Sequence, residues 1–316
     1  MSAGLLVVRP GLATTVQDGG RRGHRAQGVP TGGAFDRSSL ALANALVGNP
    51  ADAAGLEMTL LGGAFEATAP MAVALAGAPM EATIVERGVA RPVRVPGSFH
   101  LAQGARLELG GTTSGARTYL AVRGGLQTNL VLGSRSSEER LTVGTFLPAP
   151  CTDGFSVRFL HSSVYTIDLL FAIMSGLDAI DESFWDRADL RVSARSDRMG
   201  IRLEGPVPSV SFESERRSVP VGPGAIQVTE SGLIVLGVAG GTMGGYPIVG
   251  HVIAAELDRV GQARPGQGLC FVLVDREKAR RLDQTRREDQ RRLLSRVAAA
   301  VGDAGALALC GPAPRE

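Results

Sequence analysis

Three short polar clusters, set among apolar stretches, carry most of the residue types in this chain that could do chemistry. In Thr14-Thr15-Val16-Gln17-Asp18-Gly19-Gly20, polar residues alternate around Val16 and run into a glycine turn. This places the Thr15 hydroxyl, the Gln17 amide and the Asp18 carboxylate near one strand end, where they could orient an amide or a carboxylate. The competing reading is an Asx-type turn in which Asp18 only bonds the backbone of the glycines. In Ser196-Asp197-Arg198-Met199-Gly200, Arg198 beside Asp197 is the best anion-recognition candidate, because a guanidinium grips carboxylates bidentately. It could equally tie its loop to the neighbouring strands.

The third cluster is the glycine loop Gly237-Val-Ala-Gly-Gly-Thr-Met-Gly-Gly245, followed by Tyr246-Pro247-Ile248. It contains neither of the common glycine-rich phosphate fingerprints, and no lysine follows it. Its glycines permit close backbone approach to a ligand at Gly244 and Gly245, or simply a tight turn. Thr242 and Tyr246 are its polar groups, and Gln227 on a nearby strand is within reach. Asp18, Asp197, Arg198 and Tyr246 are therefore the catalytic candidates. Thr15, Gln17, Arg37, Gln227, Thr242, Gly244, Gly245 and Ile248 are the candidate substrate-binding residues, converging on one cavity.

Other charged residues carry less. Asp36 has the position of a helix N-cap, and Arg37 after it could bind an anion or pair with Asp36 or Glu57. Glu57 sits in the apolar run Leu56-Glu57-Met58, where an unpaired buried charge would be costly; an exposed strand face is the simpler expectation. His24, His100, His161 and His251 are scattered, so no metal site is expected. Cys151, Cys270 and Cys310 form no Cys-x-x-Cys pair, and Cys270 in Leu269-Cys-Phe-Val-Leu-Val274 reads as a small core residue.

The elements that must position these groups are mainly strands. Forty-two glycines and 17 prolines are too many for a helical protein, since both are costly inside helices. Short strands are expected at Leu5–Val8, Val73–Ala76, Val93–Val95, Phe99–Leu101, Arg106–Leu109 and Thr118–Val122. In the second half they are expected at Ser156–Leu160, Leu190–Val192, Ile201–Leu203, Ala225–Val228, Ile234–Val238, His251–Ala255 and Leu269–Val274. Helices are expected at Asp36–Val47, stopped by Gly48-Asn49-Pro50, at Ile167–Trp185, and in the charged tail from Arg276 to Val301. Residues 127–155 read as a long connection. Strands without alternating helices argue for an antiparallel barrel or sandwich, in halves 1–150 and 151–275 with a charged helical tail at 276–316.

A hydrophobic content of 44% and a charged content of 20% suit a globular core. The net charge of +2 is uneven: ten basic against six acidic residues from Arg276 onward leave the tail at +4 and the rest at −2. A nearly neutral body offers no field for nucleic acid. No stretch reaches the ~20 apolar residues of a membrane span. With the unpaired cysteines, the expectation is a reduced, cytoplasmic protein.

Four motifs in order, Arg9-Pro-Gly-Leu-Ala-Thr-Thr-Val-Gln-Asp18, Ser196-Asp-Arg-Met-Gly200, Pro223-Gly-Ala-Ile-Gln227 and Gly244-Gly-Tyr-Pro247, resemble the allophanate hydrolase subunit 2 family. That family is also called KipA-like or biotin-dependent carboxyltransferase-like, and it includes the C component of 5-oxoprolinase. The resemblance runs from about Leu5 to Val274. It implies cyclophilin-like β-barrel halves and action on small amides or lactams beside a KipI-like partner subunit. It implies no cofactor bound directly, with ATP or biotin chemistry reaching the reaction through partners. It also implies an Asp-Arg-Gln run, a lysine and an acidic residue where this chain has Ala239-Gly240-Gly241, Ile248 and Val219. These exchanges open a second reading: a barrel repurposed, alone or as a homo-oligomer, to bind or convert a more apolar molecule without ATP or biotin.

Overall fold

A computed structural model describes residues 2–152, 158–159, 169–210 and 216–302. Two compact units emerge: Met1–Gly20 with Asp36–Thr166 and Gln290–Glu316, and Arg21–Phe35 with Ile167–Asp289. The chain is mainly β, as its glycine and proline punctuation requires.

The first unit holds two six-stranded sheets. One runs, edge to edge, Phe146–Pro148, Gly4–Arg9, Ala64–Ala67, Arg106–Thr112, Met80–Glu86 and Val89–Pro92. The other runs Arg158–Phe159, Gly97–Leu101, Met71–Gly77, Arg117–Val122, Gly55–Thr59 and Ala13–Gln17. Alternation sends Leu5, Val7, Phe65 and Leu107 from the first sheet and Leu56, Met58, Leu75 and Leu120 from the second into one core. The alternate positions of Met71–Gly77 are the fully buried Ala72, Ala74 and Ala76. Helix Arg37–Leu46 packs on this strand, where small side chains allow close approach. Asp36 caps that helix as expected, its Oδ1 accepting from Ser39 N at 2.9 Å.

The second unit is a closed barrel. Its strands run Leu170–Ser175, Ile248–Val252, Ala225–Thr229, Gly232–Leu236, Gly200–Glu204, Leu190–Val192 and Gly268–Leu273. The last pairs in parallel with the first, Phe171 opposite Phe271, which closes the ring. Phe171, Ile173, Leu203, Ile226, Val235 and Phe271 fill the inside. Ala225, Ile234, Leu236 and Ile248 project from alternate positions into a separate apolar cluster with Val219 and Val221.

Some expectations are corrected. The helix at Ile167–Trp185 is instead strand Leu170–Ser175, a turn region, and the short helix Phe184–Arg187. An apolar run of this length suits either state, and pairing with two barrel strands decides it. Val93–Val95 lies between strands Val89–Pro92 and Gly97–Leu101 rather than in one. The strand expected at His251–Ala255 is Ile248–Val252, because Ile253 starts a helical turn over Ala254–Glu256. Cys270 is exposed, not core: alternation turns Leu269 and Phe271 inward and Cys270 outward. The connection at 127–155 contains the short edge strand Phe146–Pro148. The strand at Ser156–Leu160 falls largely outside the described residues; its Arg158–Phe159 pairs with Gly97–Ser98. His161 and Cys310 also lie outside the described residues.

The tail is helical over Arg276–Gly302. Arg281 pairs with Glu277 at 3.4 Å and Arg287 with Asp283 at 2.8 Å, as their i,i+4 spacing dictates. Among the described residues no helix is long and apolar enough to cross a membrane.

Candidate functional site

In the second unit, segment Arg21–Phe35 is lashed to the glycine loop and to the Asp197-Arg198 turn. Arg198 Nη2 donates to the Gly33 carbonyl at 2.7 Å, and Gly32 N donates to Val238 O at 3.0 Å. The Arg25 guanidinium donates to the carbonyl of Val221. Asp197 Oδ1 accepts from Met199 N at 2.8 Å and Gly200 N at 3.2 Å, so this carboxylate holds the turn's own backbone. Gly237 N donates to Met199 O at 2.8 Å and Ala239 N to Arg198 O at 3.1 Å. The approach needs a glycine: a Cβ at Gly237 would collide with the Arg198 carbonyl oxygen.

Beyond that junction the loop folds back. Met243–Gly244 pairs with Val219–Pro220, and Val221 N donates to Thr242 O at 3.0 Å. Thr242 is buried, whereas Gly245 and Tyr246 are exposed. Gln227 is only 4% exposed, on the outer face of the barrel, and its Nε2 has no hydrogen-bond partner among the described residues. A Cβ on Gly244 would lie 2.6 Å from that nitrogen. A buried amide donor left unpaired costs about 1–3 kcal/mol, a penalty that a ligand carbonyl would remove. Ile248 is 1% exposed and shares its apolar cluster with Val219. The side chain of Ile248 is thus filled in by protein and presents almost no surface to a ligand.

Thr15, Gln17 and Asp18 belong to the first unit. Asp18 Oδ1 accepts from Gly20 N at 2.8 Å and from Ser134 Oγ and Ser136 Oγ at 2.6 Å each, while Oδ2 accepts from Arg135 N at 2.6 Å. Burial pushes its pKa up, but these donors outweigh it and leave the carboxyl below its usual value. Asp18 therefore anchors the Ser134–Ser136 loop as an ionised carboxylate. The Asx-type turn is present in the bond to Gly20. The serines lie in the stretch that read as a plain connection; the clustered Ser-Arg-Ser was the available signal. Gln17 Nε2 donates to Thr15 Oγ1 at 2.9 Å and to Ser137 O at 2.7 Å, while its buried Oε1 has no partner among the described residues.

The exposed face expected for Glu57 is overturned. Glu57 is 1% exposed, paired with buried Arg117 (Nε to Oε1, 3.4 Å) and accepting from the Tyr119 hydroxyl at 2.7 Å. Tyr119 also accepts from Asp36 N at 2.8 Å. Cross-strand register explains the meeting, since Tyr119 and Thr15 both lie directly opposite Glu57. Burial first, then the negative charges of Glu57 and Asp36, push the Tyr119 pKa well above its usual 10.0. Arg37 is exposed on the first turn of its helix. Among the described residues no group of His, Cys, Asp and Glu could hold a metal ion.

Two β units, one a pair of sheets and the other a closed barrel, each carrying some of the polar motifs, place the chain among mainly β proteins built from two units. The chain belongs to the carboxyltransferase domain family, subdomains A and B, which it matches over residues 27–162 and 178–273. It is 33% identical over 311 residues to the C component of 5-oxoprolinase from Escherichia coli, covering 93% of this chain and 97% of that protein. It is 28% identical to urea amidolyase of Saccharomyces cerevisiae over 88% of this chain but only 17% of the longer protein. Among solved structures, the urea amidolyase of K. lactis superposes with a TM-score of 0.79 at 25% identity, over 99% of this chain and 20% of that one.

Proposed function

We propose that this chain is one component of a multi-subunit enzyme acting on the C–N bond of a small amide or lactam, in the manner of the 5-oxoprolinase C component. The observation that carries this reading is the 33% identity running through 97% of that relative. The chain's own glycine loop offers no lysine and no phosphate fingerprint, so its residues do not fit a nucleotide. In this reading ATP or carboxybiotin chemistry resides on partner subunits, one of them KipI-like. Gln227 donates to a substrate carbonyl at Gly244, and Arg198 sets the loop that frames it. Asp18, Gln17 and Thr15 shape the corresponding elements of the first unit.

A second reading has a specific observation in its favour. Val219 and Ile248, which replace an acidic residue and a lysine of the resemblance, pack into one apolar cluster with Val221, Ile234 and Leu236. Two exchanges made jointly in one place alter the packing behind the glycine loop rather than its ligand-facing surface, and in this reading the loop so supported takes a more apolar carbonyl compound.

The test is turnover of 5-oxoproline with ATP by the purified chain, alone and reconstituted with a KipI-like partner. The first reading requires activity in the reconstituted sample that Gln227→Met lowers by ~10²-fold, the loss typical of one oriented donor. Inactivity of a well-folded reconstituted complex would overturn it and leave the second reading.

A further inference from the structure

Where strands Leu170–Ser175, Ile248–Val252 and Gly268–Leu273 meet the turn before helix Phe184–Arg187 lies a cavity of about 170 Å³. Ser175, Asp178, Glu182, Trp185, Val249 and Leu273 are among its lining residues. At ~30 Å³ per water this space suits a small head group with a few methylenes. Trp185, the only tryptophan of the chain, is held by edge contacts to Phe184 (5.1 Å between centroids) and Phe271 (5.4 Å). Largely buried, it contributes an aromatic part of the cavity lining.

The two carboxylates of the cavity are in different electrical states. Asp178 is neutralised: Arg216 donates to both its oxygens at 2.6 Å, and Ile248 N donates to Oδ2 at 2.7 Å. Glu182 has only a hydroxyl partner, Ser175 Oγ at 3.1 Å on its Oε1, and no basic side chain within ion-pair distance among the described residues. The hydroxyl aims the carboxylate without cancelling its charge. A cavity with one uncompensated negative charge, an indole wall and apolar Val249 and Leu273 complements a positive head group on a short hydrocarbon stem.

We propose that this cavity binds a primary alkylammonium group, contributed either by a free small amine or by a lysine side chain of a partner. Glu182 takes the ammonium, Trp185 its face, and Val249 and Leu273 the stem. Nothing in this binding depends on the amide or lactam activity.

Trp185 reports directly on occupancy. Its fluorescence is expected to change saturably on titration with n-butylammonium chloride, with a Kd of ~1 mM, typical of a single small contact set. Glu182→Gln, on an exposed turn, should weaken binding ~5-fold or more with the melting temperature unchanged. A parallel titration with Nα-acetyl-lysine amide separates the sources: tighter binding than butylammonium assigns the site to a protein side chain, weaker binding to a free amine. Equal binding of neutral n-butanol, an unchanged Kd in Glu182→Gln, or no saturable response to either amine would overturn the proposal.

Discussion

The Tyr119 hydroxyl donates to Glu57 Oε2 at 2.7 Å across neighbouring strands, in a place where neither side chain reaches water. The same hydroxyl accepts from the backbone N of Asp36, the residue that caps helix Arg37–Leu46. One phenol thus satisfies a buried carboxylate and a backbone donor together.

Replacing Tyr119 by Phe removes one hydrogen bond from each group. It should destabilise the protein by about 1–3 kcal/mol, the cost of losing hydrogen bonds at a buried site. Urea unfolding would check this, and a loss under ~0.5 kcal/mol would contradict it. The raised pKa adds a pH dependence. The folded state favours the neutral phenol, so this contribution is complete below the usual 10.0 and lost as pH rises toward the higher folded value. Tyrosinate absorbance should show one of the three tyrosines resisting ionisation until the protein unfolds.

Asp18→Asn tests the anchor of the Ser134–Ser136 loop. Hydrogen bonds to a charged acceptor contribute ~1.5–3 kcal/mol, and an amide cannot accept the same set of donors. Because the folded pKa of Asp18 lies below the usual 3.8, its stabilising effect is complete above that pH and fades as pH falls through the folded value. The melting-temperature gap between wild type and variant should therefore be constant near neutrality and close in strong acid. A gap independent of pH would refute the assignment.

Two glycines of one loop should respond differently. A Cβ at Gly237 collides with Arg198 O and meets the Phe35 ring at 3.0 Å, whereas at Gly241 the nearest atom is 3.4 Å away. Gly237→Ala must move backbone and should cost ~3 kcal/mol or more, while Gly241→Ala should fall within about 0.5 kcal/mol of wild type. Thermal unfolding of the pair distinguishes them.

Ile248→Lys places an ammonium in the cluster of Ala225, Ile234, Leu236 and Val221, at a position 1% exposed. Burying an unpaired charge costs several kcal/mol unless the group neutralises. The variant should melt markedly lower at neutral pH and recover part of the loss at high pH, where the lysine is uncharged. A variant as stable as wild type at neutral pH would show that the cluster opens readily to water.

Local rules were sufficient for part of this molecule. Asp36 before Leu40, Ala43 and Val47, with Gly48-Asn49-Pro50 behind, specifies the helix because capping and stopping act within a few residues. Gly- and Pro-bounded apolar runs specify most strands for the same reason, and four ordered motifs carry the family. Tertiary structure alone decided what depends on partners distant in sequence. Leu170–Ser175 became a strand because two barrel strands satisfy its backbone. Glu57 was buried because Arg117 and Tyr119, some 60 residues away, are brought opposite it by register. Asp18 gained its donors because Ser134 and Ser136 close on it across more than 110 residues of chain. A carboxylate's role is set by the donors around it, and those are assembled only when the chain folds.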